Sequence, residues 1–276
     1  MSSILNATPE QALPTLFLPH GAGPCFYMDW QPADEWLAMA EWLRQLPAQL
    51  GVKPRALVVI SAHWQAQRFA INVQPCPELY YDYYGFPEHT YQLQWPVPGD
   101  PQLARQVAQY LAAAGLESVE ESSRGLDHGV FVPLKLAFPE AEIPVVQVSL
   151  KQGLAVEEHL ALGRALAPLR EQGVLIVASG MSYHNMARLM RGGTQVDPDS
   201  QAFDQWLGES IALPAQQRDA RLVQWSQAPG ARAAHPEEEH LLPLMVAAGA
   251  AGDDPGTRIF QDQVMGSVQS AFAFGI

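Results

Sequence analysis

Three short apolar runs limit the folds open to this chain. They are TLFLP at 15–19, ALVVISA at 56–62 and VLIVA at 174–178. Such runs are typical of strands that protein covers on both faces, because odd and even positions are equally apolar. The pattern therefore predicts an α/β fold with a mixed, largely parallel central sheet flanked by helices on both faces.

The segments between these runs carry helical periodicity. Segment 33–46 has acidic residues in its first turn and precedes Pro47, which we expect to end the helix. The Tyr- and Pro-rich segment 78–98 matches neither period and is expected to be a long aromatic loop. Other predicted helices are 102–114, 130–138 (with Pro133 in its first turn), 155–171, 199–212, 215–226 and 241–251, and other predicted strands are 69–73, 143–150 and a pair within 258–274. Because no repeat or linker interrupts this order, we expect one catalytic domain over residues 1–276.

The charge balance and the apolar pattern exclude several functions. The chain has 29 acidic and 16 basic residues, a formal net charge of −13, and its basic residues do not cluster, so we expect no nucleic-acid partner. No apolar stretch reaches the roughly 18 residues of a membrane span, and the start lacks the pattern of a signal peptide. Cys25 and Cys76 form no CxxC pair or disulfide framework. We expect a cytoplasmic protein with small-molecule partners; the sequence leaves its oligomeric state open.

Histidines follow three of the predicted strands. His20 comes directly after 15–19, and His63 comes directly after 56–62. His184 lies six residues beyond 174–178, after a stretch that we expect to be flexible. Ligands of such sheets bind beyond the carboxyl ends of the strands. Because imidazole suits iron, zinc, nickel and copper, this spacing predicts a shared metal site, and ligand type alone does not separate iron from zinc.

Two further histidines flank a predicted helix start. His240 precedes helix 241–251, whose positive end disfavours imidazolium and so keeps the ring neutral, as a metal ligand must be. A solvated helix cap beside three glutamates is the alternative for His240. His235 precedes Pro236 and is the second choice at this position.

Three histidines have other surroundings. His128 follows Asp127, which is placed to cap the next helix, and precedes Gly129, which allows close backbone approach. A cap without further function is the alternative for this segment. His159 lies among glutamates in a predicted helix and is expected at the surface, whereas His89 in the aromatic loop fits either a surface or a site position.

Other catalytic patterns fail on spacing. Gly180 to His184 reads GMSYH, so Ser182 lacks the second glycine of a nucleophile elbow. HGAGPC contains only a fragment of a dinucleotide fingerprint, and neither a Walker lysine motif nor HExxH occurs.

Six motifs in fixed order resemble those of a known enzyme family. They are LFLPHGAGPCF, ISAHW, YYDYYGFPEHTYQLQWPVPG, GLDHGVFVPL, ASGMSYHN and HPEEEHLLPLMVAAGAAG. Together they resemble the signatures of the class III extradiol ring-cleaving dioxygenases, and most closely the 4,5-DOPA dioxygenase branch. The resemblance runs from about residue 14 to the C-terminus, and the correct order of several motifs makes it specific.

The resemblance implies a role for each matched histidine. His20, His63 and His240 would bind the metal, with His240 where another branch has a glutamate. His184 would be the catalytic acid/base, and His128 would face substrate and oxygen. The usual non-haem iron site has two histidines and one carboxylate, so the adjacent Glu239 is an alternative third ligand.

The implied reaction is extradiol cleavage of a DOPA-like catechol with O2 at one Fe(II). Zn(II) could occupy the site of the purified protein, in which case His184 would add a fourth ligand, because zinc favours tetrahedral closure. The aromatic loop would be a lid over the ring, or plain surface packing. Arg124, Arg188 and Arg232 are candidate partners of a substrate carboxylate. A zinc hydrolase on the same histidines and a non-catalytic metal-binding interaction protein of the same fold are the alternative functions.

Overall fold

Eight strands form one sheet in the computed structural model, which describes residues 12–191 and 195–276. The first eleven residues lie outside the described residues. They belong to the segment for which the sequence predicts no signal peptide. The sheet has the order β4-β3-β5-β2-β6-β1-β8-β7. The strands are β1 (Thr15–Pro19), β2 (Ala56–Ala66), β3 (Phe69–Asn72), β4 (Ser118–Glu121), β5 (Val145–Lys151), β6 (Val174–Gly180), β7 (Gly256–Val264) and β8 (Ser267–Phe274).

The centre of the sheet is parallel and its edges are mixed. Strands β5, β2, β6 and β1 run parallel to one another, with Ala56 of β2 opposite Val174 of β6 and Thr15 of β1 opposite Ile176. The C-terminal hairpin of β7 and β8 joins antiparallel to β1, and β3 joins antiparallel to β5. The carboxyl ends of β1, β2 and β6 therefore lie side by side, at the edge where the sequence predicts a site.

Helices cover both faces of the sheet. They are α1 (Leu37–Leu50), α2 (Pro101–Ala113), α3 (His128–Ala137), α4 (Val156–Leu166), α5 (Met186–Leu189), α6 (Pro198–Ile211), α7 (Ala215–Val223), α8 (Ala231–Ala234) and α9 (Leu242–Ala251), with short 3-10 turns at Cys25–Tyr27, Glu88–Gln92, Ala167–Gln172 and Trp225–Gln227. In β2, Val58 and Ile60 pack into the core that includes α4 and α9, while Leu57 and Val59 pack into the core that includes α1 and α3. The predicted mixed α/β sheet with helices on both faces is confirmed.

Several predicted boundaries were wrong. Helix α1 continues through Pro47 to Leu50, because the burial of Leu46 and Leu50 favours its last turn, and Gly51 ends it in a left-handed conformation. Helix α3 begins at His128, so Pro133 lies in the helix interior rather than in the first turn. Strand β4, with the polar sequence SVEE, was missed because an edge strand has little apolar pattern to reveal it.

The interpretation of His159 as a surface residue was wrong. His159 is fully buried on α4, where Nδ1 donates to the carbonyl of Ala155 at 2.7 Å and Nε2 accepts from the backbone N–H of Lys151 at 3.2 Å. Helices α4 and α9 approach closely at Gly163, which has no side chain. A Cβ at this position would overlap the backbone of α9. The ring of His159 packs edge-on against Phe69 of β3 with centroids 5.7 Å apart, whereas its neighbour Glu157 is exposed.

Among the described residues, no helix is long and apolar enough to cross a membrane.

Candidate metal centre and active site

His20 is fixed at the end of β1 by backbone contacts. Its N–H donates to the carbonyl of Gly180 in β6 at 3.1 Å, which extends the β1–β6 pairing by one residue. Nδ1 of its ring donates to the carbonyl of Gly21 at 2.8 Å, and Gly21 has a φ of +84° that favours glycine. Nε2 of His20 is buried without a hydrogen-bond partner.

His63 lies at an irregularity of β2 rather than after the strand. The pairing of β2 with β5 shifts between Ile60 and Gln65, so the chain bends where His63 leaves the regular ladder. The N–H of His63 donates to Oγ of Ser61 at 3.2 Å. A Cβ on Gly129 would overlap Oγ of Ser61 and crowd the His63 ring, so the close approach predicted for this glycine is confirmed.

His240 is held against the end of β6. Its carbonyl accepts from the N–H of Met181 at 3.0 Å, and a Cβ on Gly180 would overlap that carbonyl oxygen. Nδ1 of His240 donates to Oε1 of Glu239 at 2.8 Å, which turns Nε2 away from the glutamate. As predicted, His240 lies just before a helix, since α9 begins at Leu242.

The rings of His20, His63 and His240 converge. Their centroids are 4.8 to 5.2 Å apart, and Nε2 of His63 lies 3.3 Å from Nε2 of His240. One ligand atom from each lies within 4.8 Å of the other two, so the group could hold a metal ion. Two ligands at about 2.1 Å from a metal with tetrahedral geometry are about 3.4 Å apart. The unpartnered Nε2 of His20 and this all-nitrogen donor set fit a transition-metal ion.

The three rings are held in the neutral form that binds metals. Burial lowers the pKa of His20 well below its usual value of 6.5, and the neighbouring His63 and His128 lower it further. Burial likewise lowers the pKa of His63, as do His128, His184 and Arg124. The pKa of His240 is lowered by burial and then by His184 and His63. Ligand nitrogens are therefore available near neutrality without loss of a proton.

His184 lies beside this group of three. Its ring stacks on that of His240 with centroids 3.3 Å apart, and its Nδ1 is 3.4 Å from Oε1 of Glu239. The segment before it is not loose as expected: Ser179 and Gly180 belong to β6, and Met181 and Ser182 are buried. Burial alone would raise the pKa of Glu239, but its hydrogen bond with His184 and its own backbone N–H lower it below the usual value.

His128 completes the cluster, with its ring 3.9 Å from His63 and 5.4 Å from His20 between centroids. Asp127 does not cap α3 as predicted. Its buried carboxylate instead accepts from Oγ of Ser61 at 2.6 Å and from the amide of Gln147. Burial and the nearby Asp82 raise the pKa of Asp127.

Sequence reasoning missed Asp82. Its Oδ1 accepts from both the backbone N–H and Nδ1 of His128, at 2.9 and 2.7 Å. Burial alone would raise the pKa of Asp82, but its hydrogen bonds with the ring and the backbone N–H of His128 lower it below the usual value. The available signal was the position of Asp82 between two pairs of tyrosines (YYDYY), because a carboxylate among aromatic residues is rarely buried without a partner.

The aromatic loop is packed on itself and on α3. The hydroxyl of Tyr81 donates to the carbonyl of Leu93 at 2.5 Å, and that of Tyr83 donates to the carbonyl of Thr90 at 2.6 Å. Tyr83 also faces His128, with centroids 5.8 Å apart. Tyr84, in contrast, is 91% exposed. Internal packing thus describes this loop better than a set of rings stacked over the histidines.

The remaining candidates lie apart from the three converging rings. His235 is buried between Phe203 and Trp225, and its Nε2 donates to the carbonyl of Ser182 at 3.0 Å. His89 is exposed and donates from Nε2 to the carbonyl of Tyr27 at 2.9 Å. Neither belongs to a described group that could hold a metal.

The three candidate arginines differ in their partners. Arg188 donates to Asp197 and Asp199 at 2.7 Å each, and Arg232 donates to Glu238 at 2.8 Å. Arg124 instead donates to the carbonyl of His63 at 3.0 Å, and its guanidinium lies over the rings of Trp64 and Tyr80. The closest oxygen of Asp127 is 3.5 Å away, so Arg124 is the most weakly paired of the three.

Comparison with known proteins assigns the chain to a family. The sequence model described as the catalytic LigB subunit of aromatic ring-opening dioxygenase matches residues 14–273. The chain belongs to this family. A curated relative from Beta vulgaris named 4,5-DOPA dioxygenase extradiol is 37% identical over 257 residues, covering 93% of each chain. A relative from Hapsidospora irregularis named Dioxygenase tasH is 35% identical over 272 residues, covering 92% of this chain and 82% of the relative.

A solved structure agrees with this LigB membership. The crystal structure of an uncharacterized protein from Escherichia coli K12 matches with a TM-score of 0.78 at 28% identity, covering 95% of this chain and 100% of that one. The predicted resemblance is confirmed, and the chain is an extradiol aromatic ring-opening dioxygenase. This class favours the dioxygenase over the hydrolase and the interaction protein considered from the sequence.

Proposed function

We propose that the protein opens the ring of a DOPA-like catechol with O2, at a single Fe(II) held by His20, His63 and His240. The observation that carries this proposal is the convergence of three imidazoles around the buried, unpartnered Nε2 of His20. The chemistry that a bound ferrous ion supplies is chelation of both catechol oxygens and activation of O2.

The contacts of Glu239 support His240 as the third ligand. A carboxylate that accepts from Nδ1 of a metal-binding histidine orients the ring and increases its basicity, and Oε1 of Glu239 accepts from Nδ1 of His240 in this way. Nε2 of His240 is thereby turned towards His63. In a zinc-loaded protein, we propose that His184 adds the fourth ligand, since its ring lies against His240.

His184 is proposed to move the proton of the reaction. Its Nδ1 lies near Glu239, which leaves Nε2 as the ring atom that can take a proton from a substrate hydroxyl and later return it. Its side chain is 21% exposed, so a substrate can reach the ring from solvent. His128, on the other side of His63, is proposed to face the substrate and O2.

Arg124 is the proposed partner of a substrate carboxylate. Its charge acts on His63, and it lacks the close ion pairs of Arg188 and Arg232. The names of the relatives point to DOPA, which carries a carboxylate that a simple catechol lacks. Arg124→Gln should raise KM for DOPA about tenfold, by loss of a charge-assisted hydrogen bond, and leave KM for 4-methylcatechol unchanged. An equal rise for both substrates would exclude this role.

The two free cysteines suit a reducing compartment, and we propose that the enzyme works in the cytoplasm.

Anaerobic reconstitution tests the function. The metal-free protein is loaded with ferrous ion, mixed with DOPA and exposed to air while O2 and absorbance are recorded. We expect one O2 consumed per catechol and a yellow semialdehyde product. A muconic acid product would exclude extradiol cleavage of this substrate, and ester or amide hydrolysis with zinc alone would favour a hydrolase. Loading with zinc and repeating the assay with DOPA is the matched control.

A further inference from the structure

The start of the aromatic loop is fastened to the segment that leads into α3. The N–H of Tyr80 donates to the carbonyl of Leu126 at 2.7 Å, and the N–H of Leu126 donates to the carbonyl of Glu78 at 2.8 Å. Gly125 permits this approach, because a Cβ there would lie 2.6 Å from the carbonyl oxygen of Glu78. The position of Asp82, two residues beyond Tyr80, is therefore tied to that of His128, two residues beyond Leu126.

From this fixed position, Asp82 accepts two hydrogen bonds from His128. One oxygen, Oδ1, accepts from the backbone N–H of His128 at 2.9 Å and from its ring Nδ1 at 2.7 Å. The other oxygen, Oδ2, lies 3.9 Å from Nδ1 of His63, which is beyond hydrogen-bond length. Tyr83 adds an edge contact to the His128 ring, with centroids 5.8 Å apart. The carboxylate thus fixes both the start of α3 and the rotation of this ring.

A carboxylate on Nδ1 also selects the tautomer. A neutral imidazole carries its proton on one nitrogen only, and a carboxylate accepts but does not donate. In the neutral ring, an Nδ1–H bound to Asp82 leaves the lone pair on Nε2, which points away from Asp82. Among the described residues, Nε2 of His128 has no hydrogen-bond partner, so it remains available to a bound substrate.

We propose that Asp82 is a positioning residue of the ring-opening reaction, which acts by holding His128 in the Nδ1–H tautomer with Nε2 directed at the substrate. This inference rests on the proposed function only for the identity of the substrate. The tautomer of His128 and its hydrogen bond with Asp82 do not depend on that function. Asp82 touches no reacting atom, and its effect on the rate passes through His128.

The first test reads the tautomer directly. Long-range proton–nitrogen NMR spectra of the zinc-loaded, ¹⁵N-histidine-labelled protein distinguish the protonated from the unprotonated ring nitrogen of His128. We expect the wild type to carry the proton on Nδ1, and Asp82→Ala to shift it mainly to Nε2. Asp82→Asn should keep the Nδ1–H form, because its amide oxygen can still accept both hydrogen bonds. A wild-type His128 with its proton on Nε2 would overturn the proposal without any variant.

The second test asks whether the effect passes through His128. In the iron-loaded enzyme, Asp82→Ala should lower kcat roughly 10–100-fold with little change in KM, and Asp82→Asn should recover most of it. In a His128→Ala background, Asp82→Ala should cause no further loss, since the group it positions is gone. Glu88→Gln, on the exposed part of the same loop, is the matched control and should match the wild type.

Two outcomes would point elsewhere. If Asp82→Ala lowers the metal content, or still lowers kcat in the His128→Ala background, Asp82 serves His63 or a cation in the group of His63, Asp82 and His128, and the proposal fails. If the wild type turns over no catechol but shows the expected tautomers, the proposed function fails while the positioning by Asp82 stands.

Discussion

Helix α9 has a histidine site at one end and two buried arginines at the other. Before its amino end, His240 is neutral at ordinary pH and faces His63 across 3.3 Å. At its carboxyl end, Arg170 donates from Nη1 to the carbonyls of Ala250 and Ala251, at 3.1 Å each. Arg218 donates from Nη2 to the carbonyls of Ala248 and Gly252, at 2.9 Å each.

The difference between these ends follows from what a helix offers a charge. Its carboxyl end presents unpaired carbonyls and a partial negative charge, which stabilise a buried guanidinium. Its amino end presents a partial positive charge, and around His240 burial and neighbouring imidazoles also disfavour a proton. A permanently charged group is therefore tolerated only at the carboxyl end, and a group that can stay neutral suits the amino end.

The two ends also differ in how completely their polar atoms are paired. Arg218 is 1% exposed, and its guanidinium donates to three carbonyls and to Asp219. His20, equally hidden, keeps one ring nitrogen without a partner. A saturated group contributes stability, whereas an unsaturated one costs stability until something binds it. The arginine end is thus saturated with hydrogen bonds, whereas the histidine end keeps a ring nitrogen free for a ligand.

Removal of one of the three proposed metal ligands should have the largest effect. His20→Ala, His63→Ala and His240→Ala should each reduce bound iron from about one per chain to nearly none, because two imidazoles make a weak site. Activity should disappear with the metal, while the free energy of unfolding of the metal-free protein should fall by only about 1–3 kcal/mol, since His20 and His240 each lose one hydrogen bond from Nδ1. Iron analysis and urea unfolding measure both. Retention of full iron by His240→Ala, with its loss in Glu239→Ala, would identify Glu239 as the third ligand.

His184 should separate catalysis from metal binding. His184→Ala should keep its iron and bind catechol, but its turnover should fall about 10²–10⁴-fold, the usual contribution of a positioned acid/base. His184→Gln should be no faster, because an amide forms hydrogen bonds but does not carry a proton near neutrality. Iron content and kcat are measured on the same preparations. Iron that falls in parallel with activity would mean that His184 is a ligand.

The two ends of α9 also differ in how far the sequence predicts them. His20 and His63 were found because buried parallel strands have a simple apolar signature and their carboxyl ends share an edge. The arginine end has no such signature. Arg170 and Arg218 lie in segments with polar neighbours, and only tertiary contact brings them to the end of α9.

Asp82 and His159 show the same limit within the site and the core. Hydrophobic periodicity reports which face of an element is buried, not which side chain in a loop meets it. The hydrogen bonds of Asp82 join residues 46 positions apart, and the buried ring of His159 packs on Phe69 of β3, far from it in the sequence. The prediction of one domain over 1–276 stays a prediction.

A substitution at the arginine end of α9 should lower the stability of the protein and leave its catalytic rate unchanged. Arg218→Met keeps much of the buried volume but leaves three carbonyls without their donor and removes one of the two arginines that pair with Asp219. We expect the free energy of unfolding to fall by about 3–5 kcal/mol. At temperatures where the variant is folded, kcat and iron content should equal those of the wild type. Arg221→Met, on the same helix but with an exposed partner in Glu209, should cost less than about 1 kcal/mol. Equal losses in the two variants would contradict the contrast between the ends.

The smallest expected effect concerns pH and a second buried histidine on the histidine side of the molecule. Burial lowers the pKa of His235 to about 3, although its hydrogen bond to Ser182 opposes this shift. Below the unfolded value of 6.5 the unfolded chain binds a proton that the folded chain does not, so stability is lost as pH falls from 6.5 towards 3. This residue alone should contribute a slope of about 1.4 kcal/mol per pH unit in that window.

The variant His235→Gln tests this slope. Its amide can still donate to the carbonyl of Ser182 but does not titrate. Its free energy of unfolding, measured in urea on metal-free protein, should therefore fall less steeply between pH 6.5 and 4.5. Above pH 7 the free energies of unfolding of the two proteins should change in parallel with pH, because His235 is neutral there in both the folded and the unfolded chain. Identical slopes below pH 6.5 would show that His235 takes up its proton in the folded state, and would remove the contrast between a histidine end that excludes charge and an arginine end that holds it.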